Sequence, residues 1–202
     1  MEFKLNNWLG NWTNFEKYIY STDPAMERCW AEAEQLAANI PMLKNGAKAF
    51  WQMACETKNA ENPVRLGGWI ITGAENGMNI HWLTEDGTSL GRYDYTLSEI
   101  VPKGLEGKPN FLFVAEKAPE NWPFRYMLAM EPMPDRQAKN NGGLLSHLHY
   151  QYGSSKDVLL TDGKLANPMW YATMCDGDST LLDQCNIVRA LHRLPRWDNI
   201  PE

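Results

Sequence analysis

Histidine and cysteine are scarce in this chain: four of each among 202 residues. The cysteines, Cys29, Cys55, Cys175 and Cys185, never fall into a Cys-x-x-Cys pair, which excludes the common cysteine-based zinc motifs. Positive charge is also short. Lys and Arg number 19 against 25 Asp and Glu, a formal net charge of -6. That balance argues against nucleic acid, whose phosphates are neutralised by Lys and Arg, and against anionic membrane surfaces. No apolar run approaches the ~20 residues of a membrane-spanning helix. The opening MEFKLNNWLGNW has no basic stretch followed by an apolar one, so a cytoplasmic protein with reduced, buried thiols is expected. A nucleophile elbow, a phosphate loop and a dinucleotide fingerprint are all missing. So is any internal repeat, and a single domain over residues 1–202 is expected, a length that buries a sizeable core.

Aromatic residues are plentiful, with nine Trp, and most are expected in the core or at its rim. After a first strand region in residues 1–22, the stretch 23–58 has helical texture. Asp23 is placed to cap a helix with Pro24 at its first position, where a missing N–H costs nothing. Met26, Trp30, Ala33, Ala37 and Ile40 then form one apolar face. A second short helix is expected over Ala47–Thr57, with Phe50 and Met53 inward. From residue 64 to 175 the texture changes to strand-like runs separated by turn signals. Arg65–Thr72 and Met78–Leu83 flank the hairpin signal Ala74-Glu75-Asn76-Gly77. Ser89–Leu97, Asn110–Ala115, Phe124–Glu131, Ser146–Tyr152 and Trp170–Met174 follow as strands, with Pro134–Gly143 as a loop. A final helix is expected over 178–193, capped by Ser179, with Leu182, Ile187, Val188 and Leu191 inward and His192 as a charge at its C-terminal end. Short strands in hairpin succession predict an antiparallel meander that closes into a barrel, a lipocalin-like architecture with a helical N-terminal insert and a C-terminal helix.

Ser146-His147-Leu148-His149-Tyr150 carries the sharpest chemistry. Residues i and i+2 of a strand point the same way, so His147 and His149 face together, into the barrel or out of it. Two neighbouring imidazoles chelate one divalent metal with little ordering cost, although zinc usually takes at least three protein ligands.

The chain resembles the ZinT (YodA) family of calycin-fold zinc-binding proteins. The resemblance runs through LNNWLGNWTNF, the helical insert, GWIITGAENGMNIHW, RYDYTLSEI and NFLFVAEKAPENWPFRYMLAME to SHLHYQYG. It implies a Ser-His-x-His strand whose two histidines join a third His from the preceding strand. Here Glu131 falls where that third His would stand, and the loop Pro132–Leu145 is longer than the family's. The resemblance therefore implies a His147, His149 and Glu131 ligand set. Two His with one carboxylate suit zinc and also non-haem iron(II), and nickel and cobalt remain open. His81 is a candidate fourth ligand or neighbour of the ligands. Three functions follow as expectations. The first is a zinc-like metal-binding protein. The second is a metal-dependent enzyme acting on a small molecule held in the barrel among Trp69, Trp82, Tyr93, Tyr95, Tyr126 and Tyr150. The third is a metal-free carrier of an apolar molecule. The family's exported scavenging role transfers poorly to a chain without a visible leader.

Overall fold

A computed structural model describes residues 2–201. In chain order the strands are β1 (Gly10–Asn14), β2 (Gly68–Ala74), β3 (Gly77–Leu83), β4 (Ser89–Val101), β5 (Asn110–Val114), β6 (Tyr126–Ala129), β7 (His147–Gly153), β8 (Leu160–Thr161), β9 (Lys164–Leu165) and β10 (Ala172–Asp176). The helices are α1 (Glu16–Ile19), α2 (Pro24–Ala37), α3 (Ala47–Cys55), α4 (Lys156–Leu159) and α5 (Leu181–Leu191). Eight strands close an antiparallel barrel in the order β1-β10-β7-β6-β5-β4-β3-β2, while β8 and β9 form a separate ribbon. Closure leaves the barrel without a free edge, which is how an antiparallel meander avoids pairing with other chains.

Period-two alternation sorts each strand's residues. In β3, Met78, Ile80 and Trp82 enter the barrel core while Asn79 and His81 stay outside. In β7, Leu148, Tyr150 and Tyr152 point inward, so His147 and His149 face out. The lumen is packed solid with rings. Trp82 stacks on Phe124 with centroids 4.1 Å apart, and Trp69 meets Trp82 at 4.9 Å and Tyr150 at 4.7 Å. An interior filled by side chains is the ordinary outcome for eight strands. It leaves no room for the small molecule that the enzyme and carrier readings place in the barrel. Of the rings expected to line a pocket, Trp69, Trp82, Tyr95 and Tyr150 are core, and Tyr126 packs on the outer wall beside Leu112 and Leu128.

One face of the barrel is buried twice. Beneath α2, α3 and α5, a second apolar cluster joins Phe15, Met26, Trp30, Cys175, Ile187 and Val188. This explains why every residue of β10 is buried although only alternate ones reach the lumen. All four cysteines are buried and free. Asp23 caps α2 as expected, its carboxylate accepting from the Ala25 N–H at 2.9 Å.

Several expectations shift. Ile40 lies beyond α2 and is exposed. Met53 is 52% exposed; Ala47 and Cys55 are the residues α3 buries. The cap of α5 is Thr180 and not Ser179, because Thr180 and Asp183 satisfy each other's backbone N–H groups in a capping box. The expected loop 134–143 contains a 3-10 turn, Arg136–Asn141. Its Arg136 lies over the Trp12 ring, pairs with Asp176 at 2.5 Å and donates to the Leu9 carbonyl. This clamp explains Gly10: its φ is +113°, and a Cβ there would run into the guanidinium.

His192 is also corrected. It is a buried, neutral residue and not an exposed charge. The Trp51 indole N–H can only donate, so at 2.9 Å it fixes His192 Nε2 as acceptor, and Nδ1–H then donates to the Val188 carbonyl.

Candidate metal centre

β7 carries His147 and His149 out of the barrel towards the helical layer, with ring centroids 5.3 Å apart. β10 runs beside β7 in the register Thr173↔His149 and Cys175↔His147, so these four side chains share one face. Phe15, Trp51 and Ile187 close a narrow apolar recess over them.

Thr173 sets the state of His149. Its hydroxyl has one proton and lies 3.0 Å from the Tyr171 carbonyl, to which it donates, so it accepts from His149 Nδ1–H at 2.8 Å. Nε2 is then the nitrogen with the free lone pair. Burial, with the neighbouring His147 next in weight, pushes the His149 pKa down to about 4, so the ring is neutral at neutral pH. The lone pair faces Glu106 Oε1 at 3.4 Å. An ion pair would need a protonated ring, which that environment disfavours; two acceptors confront each other instead. Two ligands held at about 2.0–2.2 Å by one tetrahedral ion stand about 3.3–3.6 Å apart, a range that includes this gap.

His147 is also held neutral. Burial lowers its pKa, against the Leu145 carbonyl and Glu106, which work the other way. Its Nδ1 is buried without a hydrogen bond of good geometry. Glu106 sits in the 3-10 turn Leu105–Gly107 between β4 and β5, with left-handed φ 54° and ψ 21°. Lys108 holds its other oxygen at 3.0 Å. Burial raises the Glu106 pKa, but the hydrogen-bonded Lys108 ammonium leads the effects that keep the carboxyl below its ordinary value.

Two expected members of the site lie elsewhere. Glu131 accepts from Asn7 Nδ2 at 2.7 Å and lines a surface recess beside Met133; Met130 and Met133 around it pair with the backbone of His149 and His147, but no hydrogen bond or ion pair joins its carboxylate to either ring among the described residues. His81 is on the outer face of β3, hydrogen-bonded to Ser89 at 2.9 Å and Arg92 at 3.0 Å. Four strand steps separate β3 from β7 in either direction round the barrel, so His81 is on the opposite wall. Among the described residues no three His, Cys, Asp or Glu side chains already form a complete ligand group. The histidine pair with Glu106 fits a metal in its donor chemistry: a fixed tautomer, an acceptor–acceptor gap and a carboxylate on a short turn.

No family model and no curated protein matches the sequence. Among solved structures, the chain is similar to the Zn(II)-bound ZinT-like domain of Streptococcus pneumoniae AdcA. The match has a TM-score of 0.57 and 15% identity, and covers 95% of this chain and 91% of that one. The fold is ZinT-like. At that identity the likeness concerns the arrangement of the chain and carries no residue across. The ZinT-like barrel here has its lumen filled, and the candidate site lies on the outer wall beneath α3 and α5.

Proposed function

We propose that this protein binds one divalent transition-metal ion of zinc type through His147, His149 and Glu106. The observation that carries the reading is the neutral His149 Nε2 set 3.4 Å from the Glu106 carboxylate, with Nδ1 tied to Thr173. A hydrogen bond on the far nitrogen is how proteins orient a ligating imidazole. The Zn(II)-bound state of the structurally similar AdcA domain supports zinc as the ion. Two neutral imidazoles and one carboxylate supply one negative charge, which offsets half the charge of a dication, and an ion so bound would offer Lewis acidity. With the lumen filled, binding is a better-supported reading than turnover of a small molecule inside the barrel.

Native mass spectrometry after zinc titration tests this. The wild-type chain is expected to take up one equivalent. His147→Ala and His149→Ala should lose it at micromolar zinc, Glu106→Gln should bind at least about tenfold more weakly, and Glu131→Gln should match wild type. Failure of the wild type to take up zinc, nickel, cobalt or iron(II), or undiminished uptake by the histidine variants, would end the proposal.

A further inference from the structure

A second cleft lies beside the histidine recess, lined by Glu16 and Glu56, the chain neighbours of the recess residues Phe15 and Cys55. It has a volume of about 420 Å³ and opens where the end of β1 meets the segment 56–65. None of the residues lining it is shared with the histidine recess. At its base is Glu16, only 4% exposed. One Glu16 oxygen is fully used: Oε1 accepts from the Thr57 N–H at 2.6 Å and from Asn14 Nδ2 at 3.2 Å. Oε2 has no hydrogen-bond partner among the described residues, and it is not among the polar atoms sealed from solvent, so it opens onto the cleft.

The neighbouring charges are already matched. Glu56 is engaged by the Tyr20 hydroxyl and the Lys58 ammonium. Arg65 is bound to Glu85 at 2.9 Å and lies over the Tyr20 ring at 5.2 Å. Lys58 is near enough to feel Glu16, but its ammonium rests on Glu56. Glu16 forms no ion pair among the described residues. A buried carboxylate without a counter-charge is unfavourable, and proteins resolve it by protonation or by pairing with a cation.

We infer that this cleft binds a small organic ammonium ion, its N–H groups on Glu16 Oε2 and its carbon chain along Pro63 and Val64. A bare hard cation fits less well. Calcium takes six or more oxygens, and among the described residues no three His, Cys, Asp or Glu groups gather to hold an ion. The apolar wall beside the carboxylate suits an alkyl chain, and the charge of the head group selects against neutral analogues.

Isothermal titration of the purified chain with n-butylammonium, with 1-butanol and with calcium chloride tests the inference. Saturable binding of n-butylammonium is expected, with none for butanol. Glu16→Gln should weaken it by about tenfold or more, the ordinary weight of a charge-assisted hydrogen bond. That substitution keeps the Oε1 acceptor for Thr57, and a thermal melt confirms that the variant folds. Val64→Trp, which fills the cleft without altering the carboxylate, should also abolish binding. His147→Ala should leave it intact, separating this site from the metal proposal. No binding up to millimolar concentration, equal binding of butanol, undiminished binding by both variants, or calcium binding that depends on Glu16 would overturn the inference.

Discussion

Glu106 is the carboxylate that faces His149. Its left-handed φ of 54° is a conformation that costs a residue with a Cβ about 1–2 kcal/mol. Glu106 was not singled out in the sequence. Glu131 stands where the resembled family would place its third His, and the resemblance alone pointed to it. Position 106 lies in the turn before β5 and reaches His149 only because β5, β6 and β7 are consecutive in the barrel. No local pattern encodes that encounter. Glu106→Gly separates the two roles of the residue. Glycine adopts a left-handed φ without penalty, and the exposed pair with Lys108 is worth little. The variant should unfold at the same urea midpoint as wild type or a slightly higher one, by up to about 1 kcal/mol, while zinc affinity falls. A clear loss of stability would mean that Glu106 supports the fold rather than a ligand.

Elements were legible where local rules act and blurred where neighbours decide. The Asp23-Pro24 start of α2 follows from capping chemistry and appears as expected. Thr180 and Ser179 both suit a helix start, and only the Asp183 spacing selects Thr180. The layer of α2 and α5 depends on Arg189, which pairs with Glu32 at 2.6 Å, donates to the Pro195 carbonyl at 2.6 Å and lies over Trp197 at 4.3 Å. Arg189→Met keeps the apolar stem but loses these charge-assisted bonds. Chemical denaturation should show a cost of about 2 kcal/mol; an unchanged midpoint would remove Arg189 from the account.

The same layer sets a pH dependence. Burial lowers the pKa of His147, His149 and His192 in the folded metal-free chain, with His149 at about 4, against about 6.5 when unfolded. The unfolded chain therefore takes up protons first as pH falls. This stabilisation is complete above about pH 6.5 and is lost progressively as pH drops towards 4. Urea midpoints of metal-free protein should decrease from pH 7.5 to 5. The decrease should be shallower in His192→Gln, which keeps an acceptor for Trp51. A slope unchanged by that substitution would show that His192 does not stay neutral in the folded state.

At the scale of the whole molecule, short strand-like runs in hairpin succession made an antiparallel barrel readable, and the structure has one. Strand parity also showed that His147 and His149 face together. It left the direction open, although Leu148, Tyr150 and Tyr152 form the apolar parity of β7 and His147, His149 and Gln151 the polar one. Packing decides the question: Leu148, Tyr150 and Tyr152 fill the lumen, and the helices cover the imidazoles from outside. The central claim is thus a claim of place, with a metal on the outer wall of a filled barrel. A crystal of zinc-treated protein, measured on both sides of the zinc absorption edge, tests it most directly. The account predicts one anomalous peak within coordination distance of His147, His149 and Glu106. A peak in the lumen or beside Glu131, or no peak at the histidine pair, would contradict it.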